Sequence, residues 1–266
     1  MEFNYNNFLE KYNSYFKKIA KEDILINVKN FKKWIFPALM FLFFEFIFRQ
    51  KILNSIFSGK ILVFDFFENP IVNNFFVGGI CCLFGNCIIF LIIKYVFDGK
   101  LNSIDSSEKM DLKKSIVISI VVLFLTIGII YGVMWIQSVL FSHIGLNSSN
   151  ADAITKRFKS NPLPVVGLSF VTSTLEELVY RQLLFGYLYD LHSGSNKYIR
   201  IITSVIVSST IFGSIHDGVF AYAMIRYIIY GISFSTVYLY TKRISTAMMV
   251  HVLVNIFLTL INIVIT

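Results

Sequence analysis

The chain has 266 residues, of which 56% are hydrophobic, 17% aromatic and only 15% charged, with a mean hydropathy of +0.68. Soluble globular domains carry nearer a quarter charged residues, so this chain has too few polar side chains to coat a water-facing surface. A cytosolic enzyme, a disordered tail and a secreted disulfide scaffold are excluded together, and the net charge of +8 points to basic loops beside anionic lipid rather than to nucleic acid.

Residues 1–33 are polar and Lys-rich, with Phe8, Leu9, Tyr12, Tyr15, Phe16 and Ile19 at helical spacing and Lys11, Lys17, Lys18 and Lys21 between them. That pattern predicts a basic amphipathic helix on the membrane surface. The segment contains no apolar h-region, so no cleavable signal peptide is expected. Seven apolar stretches follow, near 34–48, 71–97, 115–141, 162–190, 199–216, 219–240 and 244–265. About 20 residues span a bilayer, so the expected fold is an all-α, polytopic membrane protein with about seven transmembrane helices. Pro162 and Pro164 suit the opening turn of the fourth helix. Only Asp217 and Gly218 separate the fifth stretch from the sixth, which predicts a tight helical hairpin. Cys81, Cys82 and Cys87 have neither disulfide nor zinc spacing and are read as packing residues. With the N-terminus inside, the inner segments hold fifteen Lys and Arg against six in the outer ones. The positive-inside rule therefore predicts a cytoplasmic N-terminus.

An ionised side chain at the bilayer centre costs about 2.5–3.5 kcal/mol on insertion scales, which makes each one a functional candidate. The fourth stretch contains Glu176, Glu177 and Arg181. At about 100° per residue, Glu177 and Arg181 share a face and can pair as i, i+4, whereas Glu176 points elsewhere and is expected to be a lone carboxylate. A lone carboxylate in a dry cavity would be fitted to general acid–base work. From this segment alone, a structural ion network between helices is an equal alternative. The fifth stretch ends Phe212-Gly213-Ser214-Ile215-His216, and the seventh places His251 and Asn255 one turn apart. A glutamate, a histidine, and a histidine with an asparagine on three spans supply a base, a water-polarising group and oxyanion donors.

Glu176-Glu177-x-x-x-Arg181, Phe212-x-x-x-His216 and His251-x-x-x-Asn255, in this order on successive hydrophobic segments, resemble the signature of the CPBP family. These are the CAAX prenyl proteases and bacteriocin-processing enzymes, also called the Abi family. The resemblance covers roughly 160–266, and no position departs from the three motifs. It implies an intramembrane protease core over 161–266, while residues 1–150 match only in being hydrophobic and helical; the surface segment 1–33 and the helices and loops over 34–160 are read from the residue pattern alone. It implies further that Glu176 with His216 activates the attacking water. His251 and Asn255 would stabilise the oxyanion, Glu177 and Arg181 would brace the glutamate helix, and Phe212 would shape the cavity wall. No cofactor is expected. Zinc held by Glu176, His216 and His251 is the alternative, although no HExxH motif pre-aligns two histidines on one helix.

Other polar residues are set aside. His143 and His192 lie near span ends, and Glu45 with Arg49 is read as an i, i+4 pair that snorkels at the end of the first span. Arg226 has no assigned partner, and Gly231 with Ser235 forms a small-residue packing stripe. The expected function is an intramembrane endopeptidase acting on a membrane-associated peptide or protein precursor, such as a pheromone, a bacteriocin leader or a lipidated tail. The expected partners are that substrate and the lipid bilayer, with no nucleic acid. The alternative is a non-catalytic scaffold or self-immunity protein of the same fold. A transporter ranks third, because seven unequal spans show no inverted repeat.

Overall fold

The computed structural model describes residues 31–60, 66–140, 162–219 and 221–265, and among these every regular element is helical. Of the amphipathic segment 1–33 all but the last three residues lie outside the described residues, as does His143. Among the described residues seven helices follow one another. α1 runs from Phe31 to Phe57, of π type over Phe31–Ile35 and Phe43–Leu53 and of α type over Phe36–Leu42 and Asn54–Phe57. α2 is Pro70–Val96 and α3 is Leu112–Leu140. α4 comprises Pro162–Glu177, a π stretch Leu178–Phe185 and a closing α segment Gly186–Leu191. α5 is Lys197–Asp217, α6 is Met224–Thr241 and α7 is Ile244–Ile265. Val72–Val96, Leu112–Leu140 and Lys197–Asp217 are long and apolar enough to cross a bilayer by length and composition. The chain is a polytopic membrane protein.

Local chemistry sets the boundaries. Asn69, Asp111 and Asn196 each turn a side-chain oxygen to a backbone N–H of the first turn, of Val72, Lys114 and Tyr198 respectively. α5 stops at Gly218, whose φ of 83° is costly for other residues, and α6 stops at the left-handed Lys242. Two boundaries differ from the sequence reading. α1 continues past residue 48 to Phe57, because Glu45, Arg49 and Gln50 satisfy one another inside the bundle instead of ending the span. α6 begins at Met224, so residues 218–223 join it to α5 and the two-residue hairpin does not form.

α4 is the axis of the bundle, in contact with α1, α2, α5, α6 and α7. All eight residues of its π stretch are buried. One apolar cluster joins α1, α2 and α4 through Phe41, Phe44, Cys82, Ile89 and Leu183. A second joins α3, α4, α6 and α7 through Ile127, Phe185, Phe234 and Val250. Gly231 lets α6 close on α5, since a Cβ there would lie 2.7 Å from that of Ser209. The three cysteines are free.

The loop over 98–111 buckles the end of α4 to α6. Asn102 donates to the Gln182 carbonyl at 3.1 Å and to the Tyr238 hydroxyl at 3.2 Å. Asp105 accepts from Tyr238 at 2.6 Å and from Gln182 at 2.9 Å. Gly186 leaves room for this, because a Cβ there would strike the Asn102 side chain. Burial pushes the Asp105 carboxyl up, and the donations from Tyr238 and Gln182 offset only part of that shift. A carboxyl that binds its proton more tightly when folded costs stability as pH rises from its unfolded to its folded value, and costs nothing below both. Asp105→Asn keeps an acceptor for Tyr238 and removes the charge. Its thermal midpoint in detergent should exceed that of the wild type at neutral pH, and the gain should vanish at about pH 4. A gain that does not change with pH would assign the effect to something other than the charge.

Candidate active site

The two adjacent carboxylates of α4 sit where the α geometry gives way to the π stretch. Such switches recur at functional positions because they redirect side chains without breaking the helix. Glu176 turns toward α1, α5 and α7. Its Oε1 lies 3.3 Å from Arg49 Nη1, and its Oε2 lies 3.5 Å from His216 Nε2 and 3.8 Å from His251 Nε2. The sequence expectation of a lone carboxylate is therefore corrected. The residues that surround it come from helices far away in the chain.

Glu177 is fully buried and holds two groups. Its Oε1 accepts from His251 Nδ1 at 2.8 Å, and its Oε2 lies 3.1 Å from Arg181 Nε. The i, i+4 pair therefore forms, but without good hydrogen-bond geometry, and all three Arg181 nitrogens lack hydrogen-bond partners. Its guanidinium is instead placed against aromatic faces, 4.7 Å from the Phe212 ring centre and 5.4 Å from that of Phe234. Cation–π contact gains strength when, as here, the cation is desolvated.

Both histidines are clamped on two sides. His216 stacks on Tyr227 at 4.7 Å, and its Nδ1 lies 2.7 Å from the Phe212 carbonyl oxygen. His251 stacks on Phe234 at 4.6 Å. A carbonyl and a carboxylate can only accept, so each ring is protonated at Nδ1. Each Nε2 is left facing Glu176. Phe212 is buried and packs edge-on against Tyr180 at 4.9 Å, forming part of the wall beside both imidazoles. Asn255, one turn beyond His251, donates from Nδ2 to Ser173 Oγ at 2.9 Å.

Sequence reasoning missed Arg49, Glu45, Tyr180, Tyr227 and Ser173. Glu45 and Arg49 were visible as a charged pair in an apolar stretch, but snorkelling is the wrong account. Glu45 is fully buried and takes Arg49 Nε at 2.8 Å and Nη2 at 2.7 Å, which directs Nη1 to Glu176. No signal in the sequence marks the other three. Of the residues set aside, His192 caps α4 by bonding the Leu188 carbonyl, and Arg226 Nη1 lies 4.0 Å from Met134 Sδ.

Two imidazoles and a carboxylate are a donor set of the type zinc accepts. Among the described residues, however, no group of three His, Cys, Asp or Glu is arranged to hold a metal ion. The Glu176 carboxylate already has a cation, the Arg49 guanidinium, at 3.3 Å.

Comparisons with known proteins concern the C-terminal segment, which carries most of this site. Residues 158–257 match the family model of the type II CAAX prenyl endopeptidase Rce1-like proteins. Over its C-terminal segment the chain is similar to CAAX endopeptidases. The matched segment contains all three motifs on which the resemblance rests. One relative, the putative membrane peptidase YdiL of Bacillus subtilis, is 30% identical over 117 residues, covering 44% of each chain. Another, the membrane-embedded CAAX protease MroQ of Staphylococcus aureus, is 31% identical over 108 residues, covering 41% of this chain and 42% of that one. The chain thus spans less than half the length of these curated relatives, and no solved structure matches it. Arg49 and Glu45 lie outside the segment matched by the family model.

Removing one partner of a buried ion pair leaves the other uncompensated, at a cost of about 3–5 kcal/mol. Arg181→Ala strands Glu177 and empties the space between Phe212 and Phe234. It should lower the thermal midpoint in detergent and the level of protein in membranes. A protein of wild-type stability would show that Glu177 does not need this cation.

Proposed function

We propose that the protein is an intramembrane endopeptidase that hydrolyses a peptide bond of a membrane-associated peptide or protein precursor, with Glu176, His216, His251 and Asn255 as its catalytic residues and no metal. The observation that carries this reading is the convergence of two Nε2 atoms from α5 and α7 on one oxygen of Glu176, at 3.5 and 3.8 Å. Those separations exceed direct hydrogen bonds and suit a water shared by the three groups. The match to CAAX endopeptidases supports a protease role in general, and the names of the relatives place theirs at a membrane.

In this mechanism Glu176 takes a proton from the water as its oxygen attacks the peptide carbonyl carbon. His216, fixed by its carbonyl bond and by Tyr227, holds the water on the side facing Glu176. The carbonyl oxygen becomes an oxyanion. His251 donates to it from Nε2 as an imidazolium, and Glu177 supports that charge from Nδ1, as a carboxylate behind a catalytic histidine does. Asn255 turns an amide N–H from Ser173 to the same oxyanion. The proton then passes from Glu176 to the amide nitrogen, the C–N bond breaks, and a carboxylic acid and an amine leave. A cytoplasmic N-terminus, expected from loop charge, completes the reading.

Peptidomics of membrane and medium from cells carrying wild-type or Glu176→Ala protein should reveal fragments present only with the wild type. His216→Ala should be equally inactive, with protein level and insertion unchanged. Asn255→Ala should lose about a hundredfold or more in rate with little change in binding, the usual consequence of removing an oxyanion donor. Purified enzyme should stay active after prolonged chelation. Full activity of Glu176→Ala would end the proposal and favour a scaffold. Activity lost on chelation and restored by zinc would transfer the water to a metal.

A further inference from the structure

A carboxylate with two oxygens and broad rotation about its last torsion does not by itself present one oxygen to a bound water. Glu176 faces this problem at the point where its role demands a single orientation. Among the described residues its Oε2 faces the two imidazoles, at 3.5 and 3.8 Å, distances too long to hold it. The group that touches the other oxygen is Arg49, at 3.3 Å. Arg49 is in turn immobilised. Buried Glu45 accepts its Nε and Nη2 in a fork at 2.8 and 2.7 Å, and Gln50 Nε2 closes on Glu45 at 3.0 Å. Arg49 Nη2 also reaches the Tyr180 hydroxyl at 3.4 Å, one turn beyond Glu176 on α4. Tyr180 packs edge-on against Phe212, whose carbonyl oxygen bonds His216.

We infer that Arg49 of α1 is a positioning residue for Glu176, held in place by Glu45, so that one carboxylate oxygen is pinned and the other faces His216 and His251. The fork satisfies the guanidinium on one edge and leaves Nη1 for Glu176. Only a planar, five-donor head can serve three acceptors on two helices in this way. α1, which lies outside the segment matched by the family model, therefore contributes to the site. The inference rests on the peptidase reading for its effect on rate, but not for the contact itself.

The experiment has two arms, on purified full-length protein in detergent. A double-mutant cycle of Arg49→Gln and Glu176→Gln, read as thermal midpoints, tests the contact whether or not the protein is a peptidase. Here the double variant should lose less than the sum of the single losses. The second arm uses an internally quenched peptide chosen from a random library because wild-type protein cleaves it. Arg49→Gln should lower kcat by about ten- to a hundredfold with KM within about twofold, the scale of a lost hydrogen bond to a charged group. Arg49→Lys, which keeps the charge but cannot fork, should recover part of that loss. Additive midpoints overturn the inference, as does a kcat within twofold of wild type in a folded Arg49→Gln protein. If the wild type cleaves no peptide, the peptidase reading falls, while the cycle still decides whether Arg49 holds Glu176.

Discussion

Charge buried in an apolar bundle must find opposite charge, and most of this structure can be understood as the solution to that demand. Glu45, Arg49 and Glu176 form one series of charges among the helices, Glu177 and Arg181 form another, and His251 stands between the two. Glu45, Glu177 and Arg181 have no exposed surface at all. Each is expensive alone and acceptable together, because attraction between close charges grows as water is excluded. Two neighbouring carboxylates on one helix, Glu176 and Glu177, would repel if they shared a partner. They are sent to different guanidiniums, one from α1 and one from α4 itself.

That division of labour gives each carboxylate a separate environment. Glu177 is enclosed, and it orients His251 from behind through Nδ1. Glu176 is less enclosed, with side-chain exposure of 14%. Aromatic rings complete the arrangement by removing the rotational freedom of the imidazoles. Tyr227 stacks on His216, Phe234 stacks on His251, and Phe212 lies between them beside Arg181. Rings and charges therefore act on the same few atoms, with packing fixing the planes and ion pairs fixing the tips.

The far end of α4 is held with equal care. The loop over 98–111 ties Gln182, Asp190 and Tyr238 together through Asn102, Ser103 and Asp105, and Arg200 joins the cluster at Asp190. Arg243 donates to the Met110 carbonyl and draws the turn between α6 and α7 into the same assembly. The axis that carries both glutamates is thereby fastened at one end by hydrogen bonds and along its length by apolar packing. A site whose groups come from α1, α4, α5 and α7 depends on that fastening, since its distances are set by how helices sit relative to one another.

Much of this was legible in the sequence. The run of apolar stretches predicted seven helices, and five of them both begin and end within three residues of the expected positions, because hydrophobic length and capping residues act locally. Glu176, His216 and His251, which the structure brings together, could be picked out as candidates too, since ionisable groups in apolar helices are conspicuous on cost alone. The i, i+4 pairing of Glu177 with Arg181 followed from helix geometry. The partners across helices were not legible. Arg49 looked like the end of a short first span, and nothing in its neighbourhood announced that Glu176, 127 residues later, lay opposite. The bond from His251 to Glu177, the Ser173 acceptor for Asn255 and the rings that clamp each imidazole were equally hidden. Sequence alone determined which helices form and which of them carry charge, since both depend on local spacing and composition. Only the tertiary structure decided which charge meets which, because that depends on helix crossing and on the π turns that rotate side chains away from ideal α positions.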